Sequence, residues 1–142
     1  MKQILASALL SMAAAGAAAQ SPAAVTSVEV FANSATHVRA QQNTPYALRV
    51  FRLDAMAQVS QQLSIRLPMD EAQAKAYMLQ QEANIRARYK DQITNAANGM
   101  SLAIHYRLDR LPAIVINRSS VIYGVADVDH AVGLYLQSKG QR

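Results

Sequence analysis

A proline stands directly before the most apolar run of this chain. The segment reads Leu111-Pro112-Ala113-Ile114-Val115-Ile116-Asn117, and a second short apolar run, Val121-Ile122-Tyr123-Gly124, follows closely. Proline has no N–H to give to a sheet ladder, so within sheets it is confined to edges, bulges or a strand's first position. Pro112 therefore marks the entrance of a strand over residues 113–116, and the absence of any polar residue there predicts burial on both faces. Asn117-Arg118-Ser119-Ser120 is turn chemistry, and residues 121–123 return as the next strand. Gly124 breaks that strand. Asp127 predicts the N-cap of a helix over residues 128–137, with Val128, Ala131, Val132 and Tyr135 as its apolar stripe and Gly140 just past its end.

The middle of the chain supplies the remaining elements. Residues 25–31 are dense in β-branched and aromatic side chains and predict a strand. Residues 33–45 are polar and read as a loop. Residues 47–53 predict a second strand, with Asp54 as N-cap of a helix over residues 55–63 and Ile65-Arg66-Leu67-Pro68 as a connector. Asp70 is placed to cap a long helix that begins at Glu71 and is rich in good helix formers. Met78, Ile85, Tyr89, Ile93, Ala96 and Met100 recur at helical spacing and predict its buried face. Asn98-Gly99 predicts an end or a kink, with residues 101–107 as a second helical piece.

The first residues have a different composition. A basic start at Met1-Lys2, an apolar stretch over residues 4–15 and Ala17-Ala18-Ala19 form the three-part pattern of a secretory signal peptide over residues 1–19, cleaved before Gln20. An uncleaved anchor is the alternative, but the apolar stretch falls short of the ~20 residues a span needs. The expected product is a single domain over residues 20–142, exported to a bacterial periplasm and without a membrane span after cleavage. About 120 residues suffice for one core. Losing Lys2 lowers the net charge from +5 to +4. The basic residues are interleaved with acids, Arg86, Arg88 and Lys90 with Glu82 and Asp91, and Arg107 and Arg110 with Asp109. Such mixing describes a solvated face, and no aromatic set accompanies it, so direct contact with nucleic acid is not expected.

The chain has no cysteine. An oxidising compartment permits disulfides that this chain cannot form, and thiol–disulfide exchange is closed to it. The order strand, loop, strand, long helix, proline, strand hairpin, helix nevertheless resembles a thioredoxin-like domain: an α/β fold with a small mixed sheet and flanking helices, here lacking the Cys-x-x-Cys motif. The resemblance implies a cis Pro112 facing the loop after the first strand. There Asn33-Ser34-Ala35-Thr36 stands where the two cysteines are expected. Asn33, Ser34, Ala35, Thr36, Leu111 and Pro112 are accordingly the candidate peptide- or partner-binding residues.

A closer resemblance rests on Val28-Glu29-Val30-Phe31, Arg52-Leu53-Asp54, Leu67-Pro68, Leu111-Pro112-Ala113-Ile114-Val115 and Val121-Ile122-Tyr123-Gly124 with Asp127-Val128. Together these are similar to a family of small exported proteins of integrating conjugative elements, itself similar to the TrbC and TraW class of F-type pilus-assembly proteins. The resemblance implies a non-catalytic periplasmic role in a conjugative type IV secretion system. It also implies other periplasmic conjugation proteins, a TraU-like one among them, as partners.

Catalytic and metal chemistry find little in the sequence. His37, His105 and His130 are far apart, and Asp127 with His130 reads as a capping acid and a surface histidine rather than as metal ligands. Ser34, Thr36 and His37 form the one cluster that would suit a hydrolase, without an evident oxyanion hole. Tyr106 and Tyr123 are expected at the core edge with solvated hydroxyls. No cofactor or metal is expected. An exported accessory protein or chaperone unrelated to transfer, and a cysteine-free hydrolase, are the competing readings.

Overall fold

The computed structural model describes residues 24–140. The expected signal peptide lies outside the described residues. Four strands and three helices follow one another as β1 (Ser27–Ala32), β2 (Ala47–Arg52), α1 (Ala55–Arg66), α2 (Glu71–His105), β3 (Ala113–Ile116), β4 (Ser120–Tyr123) and α3 (Val128–Gly140). The sheet order is β2-β1-β3-β4, with β1 parallel to β2 and the other neighbours antiparallel. This is the α/β, thioredoxin-like arrangement, a small mixed sheet with flanking helices. The Leu111–Pro112 bond is cis and leads directly into β3.

β1 and β3 are the inner strands and are covered on both faces, so every residue in them except Ser27 is buried. On one face Val28, Val30, Ile114 and Ile116 pack against Val128, Ala131 and Tyr135 of α3. On the other, Phe31, Phe51, Ala113 and Val115 pack against Ala103, with Leu102, Tyr106 and Leu108 closing the rim. The predicted stripe of α3 is thus its packing face, and Asp127 accepts the His130 amide at 3.0 Å as the expected cap. Gly140 is the last residue of α3 rather than the first beyond it.

Two boundaries differ from the expectation. α1 continues through Ile65 and Arg66, and Leu67 turns extended at ψ 139° because the ring of Pro68 disfavours a helical residue before it. Asp70 accepts the Gln73 amide at 2.9 Å and starts α2 as expected. α2 then runs unbroken past Asn98-Gly99 for 35 residues, or about 52 Å at 1.5 Å per residue. Gly99 does not end the helix; it lets the helix touch the sheet. A Cβ there would lie 2.6 Å from Phe51 Cβ and 2.8 Å from Leu53 Cδ2. The buried face of α2 is accordingly Tyr89, Ala96, Gly99 and Ala103. Ile85 and Ile93 are only half-buried, and Met78 and Met100 are exposed, because the sheet lies under the C-terminal half of the helix alone. The N-terminal half packs on α1, where Tyr89 donates to Gln62 at 3.2 Å.

The β3–β4 turn carries more than direction. Asn117 and Arg118 both have positive φ, 51° and 56°, a conformation for which asparagine is well suited. The Asn117 carboxamide accepts from the Thr26 and Ser27 amides at 2.8 and 3.2 Å and donates to the Ala24 carbonyl at 2.9 Å and the Tyr135 hydroxyl at 3.1 Å. One side chain thus ties the entry to β1, the hairpin and α3.

Candidate functional site

The C-terminal ends of β1, β2 and β4 and the start of β3 lie at one end of the sheet. All six candidate residues are there. Phe31 pairs with Ala113, so continuing the antiparallel register brings Pro112 level with Ala32 and Leu111 level with Asn33. The segment after β1 and the segment before β3 are therefore neighbours, as the resemblance implied. No helix forms between β1 and β2. Residues 33–46 instead cross as a loop that is pinned to the β4–α3 corner, with the Arg39 amide donating to the Ala126 carbonyl and the Val128 amide to the Arg39 carbonyl, each at 2.9 Å. The Arg39 carbonyl thereby satisfies a free amide at the start of α3.

Residues 33–36 form a closed turn. Thr36 donates from its amide to the Asn33 carbonyl at 3.2 Å and from its hydroxyl to Asn33 Oδ1 at 2.7 Å. Arg52, at the end of β2, donates Nη1 to the carbonyls of Asn33 and Thr36 at 2.6 and 2.8 Å. Asp54 accepts the Ser34 amide with both carboxylate oxygens at 3.0 Å and the Ser34 hydroxyl at 2.9 Å. These bonds correct the expectation for Asp54: it occupies the N-cap position of α1 but makes no side-chain cap bond to it. The Ser34 amide holds its carboxyl below the usual aspartate range; burial opposes this, and the Ser34 hydroxyl and the Arg52 charge add to the lowering. Arg52-Leu53-Asp54 thus works as a two-pronged clamp, with cation and anion two residues apart at the strand end and both reaching the same turn.

The clamp decides what the turn can do. The Ser34 hydroxyl donates to a carboxylate that favours its ionised form, so Asp54 is a weak base toward it. Ser34 lines a cleft of about 540 Å³ with Arg52, Gln58, Gln62, Asp91 and Asn95. His37 and Arg39 instead line a second cleft of about 410 Å³ with Gly124, Asp127 and His130. The turn separates the two, so Ser34 and His37, the pair a hydrolase would use, face different spaces. Among the described residues no group of three or more His, Cys, Asp or Glu side chains is placed to hold a metal ion.

Pro112 offers little free backbone. It has no N–H, and its carbonyl accepts the Gly124 amide at 3.0 Å. Leu111 next to it has an exposed side chain, and its N–H and C=O make no hydrogen bond among the described residues. Leu111 therefore offers free polar backbone next to the turn.

Two features escaped the sequence reading. Asn95 of α2 donates to the Val50 carbonyl at 2.9 Å and accepts the Arg52 amide at 3.1 Å, which fixes the strand that carries the clamp. Glu29 is buried to 3% exposure in the inner strand β1, where it accepts the Tyr106 hydroxyl at 2.6 Å and faces Arg49 at 3.4 Å. The expected solvated hydroxyl of Tyr106 is thus bonded inside, and its phenol is pushed up to about 12 by burial first and by the Glu29 carboxylate second. A single acid inside an otherwise apolar strand was the available signal for Glu29; nothing in the sequence paired it with a tyrosine 77 residues away. The surface ion pairs of the mixed-charge stretches, Arg86–Glu82 and Arg110–Asp109, are exposed and contribute little. No helix of the described residues is long and apolar enough to cross a membrane.

Fold and site together define a cysteine-free thioredoxin-like domain with a clamped turn after β1. The profile of DUF1525, a family described as a protein of unknown function, matches residues 25–141, and the chain belongs to that family. No curated protein and no solved structure matches it.

Proposed function

We propose that the protein is a periplasmic, non-catalytic component of the conjugative type IV secretion system of an integrating conjugative element, acting as a protein-interaction or assembly module. The observation that supports a binding rather than a reactive role is the clamp. Arg52 and Asp54 engage the Asn33 and Thr36 carbonyls and the Ser34 amide and hydroxyl, and a turn held this way presents a fixed shape. Beside it, Leu111 offers an exposed apolar side chain and unengaged backbone groups, which suit an extended segment of another protein. The assignment to DNA transfer rests on the sequence resemblance, which covers nearly all of the expected exported domain. Partners are then other periplasmic conjugation proteins, a TraU-like one among them, rather than nucleic acid, and the signal peptide brings the protein to them.

Conjugation frequency after clean deletion of the gene tests this reading. A fall by orders of magnitude that the wild-type gene restores is the expected result, with Leu111→Asp failing to restore it although the variant is folded and exported. Undiminished transfer from the deletion strain would remove the protein from the transfer apparatus.

A further inference from the structure

The two edges of the sheet are finished differently. On β2 the Ala47 and Leu53 amides point into β1, so the backbone groups of Leu48, Val50 and Arg52 point away from the sheet. That edge is guarded. Asn95 occupies the Val50 carbonyl and the Arg52 amide, and the Thr44 hydroxyl occupies the Tyr46 carbonyl at 2.8 Å. Pro45 stands just before the strand, and Arg49 and Arg52 lie within it. Charge, proline and side-chain cover are the devices by which an edge avoids recruiting another strand.

β4 holds no charge and no proline, and the Arg110 guanidinium that lies 4.9 Å from the Tyr123 ring centroid covers the ring and makes no hydrogen bond to the strand. Its sequence is Ser-Val-Ile-Tyr, strongly β-forming and uncharged. The bond from the Gly124 amide to the Pro112 carbonyl sets the phase of the ladder, so Ile122 exchanges hydrogen bonds with Ile114. The N–H and C=O of Val121 and Tyr123 consequently point outward, two donors and two acceptors within three residues. Among the described residues nothing bonds to them.

We propose that β4 is a self-association edge, where the β4 of a second copy adds antiparallel about a twofold axis at Ile122 and joins the two four-stranded sheets into one. A second copy fits because the edge is self-complementary. In this register Val121 and Tyr123 of the second copy face each other and exchange both backbone hydrogen bonds, and the twofold repeats the pair. Each pair sets a β-branched side chain beside an aromatic one, a favourable cross-strand combination, and Ile122 meets its own copy. The paired strands themselves bring no like charges together, since Ser120 to Gly124 carry none. On β2 a twofold at Arg49 would set Arg49 against its own copy, and one at Phe51 would need the Val50 carbonyl and Arg52 amide that Asn95 already holds. The inference does not depend on a role in DNA transfer.

Sedimentation of the purified protein over a concentration series, with backbone amide exchange followed at each concentration, tests it. The expected result is a mass that doubles from one chain to two, with the Val121 and Tyr123 amides slowing as it does and the Leu48 amide, on the guarded edge, staying fast. Val121→Pro removes an outward N–H while leaving the ladder to β3 intact, and should keep the protein at one chain throughout. A folded Val121→Pro variant that still doubles overturns the proposal. Should that variant not fold, the wild-type exchange decides: association without protection of the two amides, protection without association, or neither, each overturns it.

Discussion

Replacing Gly99 and Gly133 by alanine, one at a time, should move stability in opposite directions. Both glycines lie inside helices, where alanine is favoured by about 1 kcal/mol on propensity alone. At Gly133 a Cβ meets nothing within 4 Å, so most of that gain is realised and the protein becomes about 0.5–1 kcal/mol more stable. At Gly99 the added carbon would sit 2.6 Å from Phe51 Cβ and 3.0 Å from Phe51 Cγ. Phe51 Cβ is fixed to a strand laddered to β1, so it cannot swing aside as the end of Leu53 can. Either α2 lifts or β2 moves, and overpacking of this kind costs about 1–3 kcal/mol. Taking the upper half of that range and subtracting the propensity gain leaves a net loss of about 1–2 kcal/mol. For a domain of this size the melting temperature falls by roughly 4–8 °C for Gly99→Ala and rises by roughly 2–4 °C for Gly133→Ala. Thermal unfolding followed by circular dichroism, with urea midpoints as a second measure, reads both. A Gly99→Ala protein as stable as the wild type would refute the close approach of α2 to β2, and with it the account of why the helix runs through Asn98-Gly99.

Two further changes probe the polar groups. Tyr106→Phe leaves a buried Glu29 oxygen without its donor and should cost about 1–3 kcal/mol in urea unfolding. Because the folded phenol ionises near 12 against an ordinary 10.0, the stability it contributes is complete below pH 10 and lost as pH rises toward 12. An ultraviolet titration of the wild type should therefore show a late tyrosine step that is missing in Tyr106→Phe, and a wild type whose tyrosines all ionise by pH 10.5 would contradict it. Asp54→Asn should cost about 1 kcal/mol at neutral pH, the low end for charge-assisted bonds at a partly exposed site. Its folded carboxyl titrates below the ordinary 3.8, so the stability it supplies is present above that pH and is lost as pH falls through the lower, folded value. Wild type and variant should then converge at strongly acid pH, and a gap that persists there would show that the clamp works by shape and not by charge.

Much of the fold was legible along the chain, for identifiable reasons. Pro112 before an all-apolar run can only stand at the mouth of a buried strand, and β3 begins at Ala113. Asp70 and Asp127 precede helices with the right spacing and cap them, because capping is a contact between residues three apart. The absence of cysteine removed thiol–disulfide exchange outright. The six candidate residues were chosen by element order, and the register of β1 and β3 does bring their two segments level.

What the chain could not disclose depends on partners far away in sequence. Asp54 has the position and chemistry of a cap, and only the approach of Ser34, 20 residues earlier, shows that its carboxylate is spent on a turn. Gly99 reads as a helix breaker until Phe51 is found against it. Ile85 and Ile93 keep the helical period of buried residues, yet burial is set by how far the sheet extends beneath α2, which no period records. Glu29, Asn95 and Asn117 act through bonds spanning 18 to 93 residues. Local spacing determined the elements, their caps and the chemistry that is impossible. Tertiary packing decided which polar groups are already engaged and which remain open, because a hydrogen bond is allotted by proximity in space and not by order along the chain.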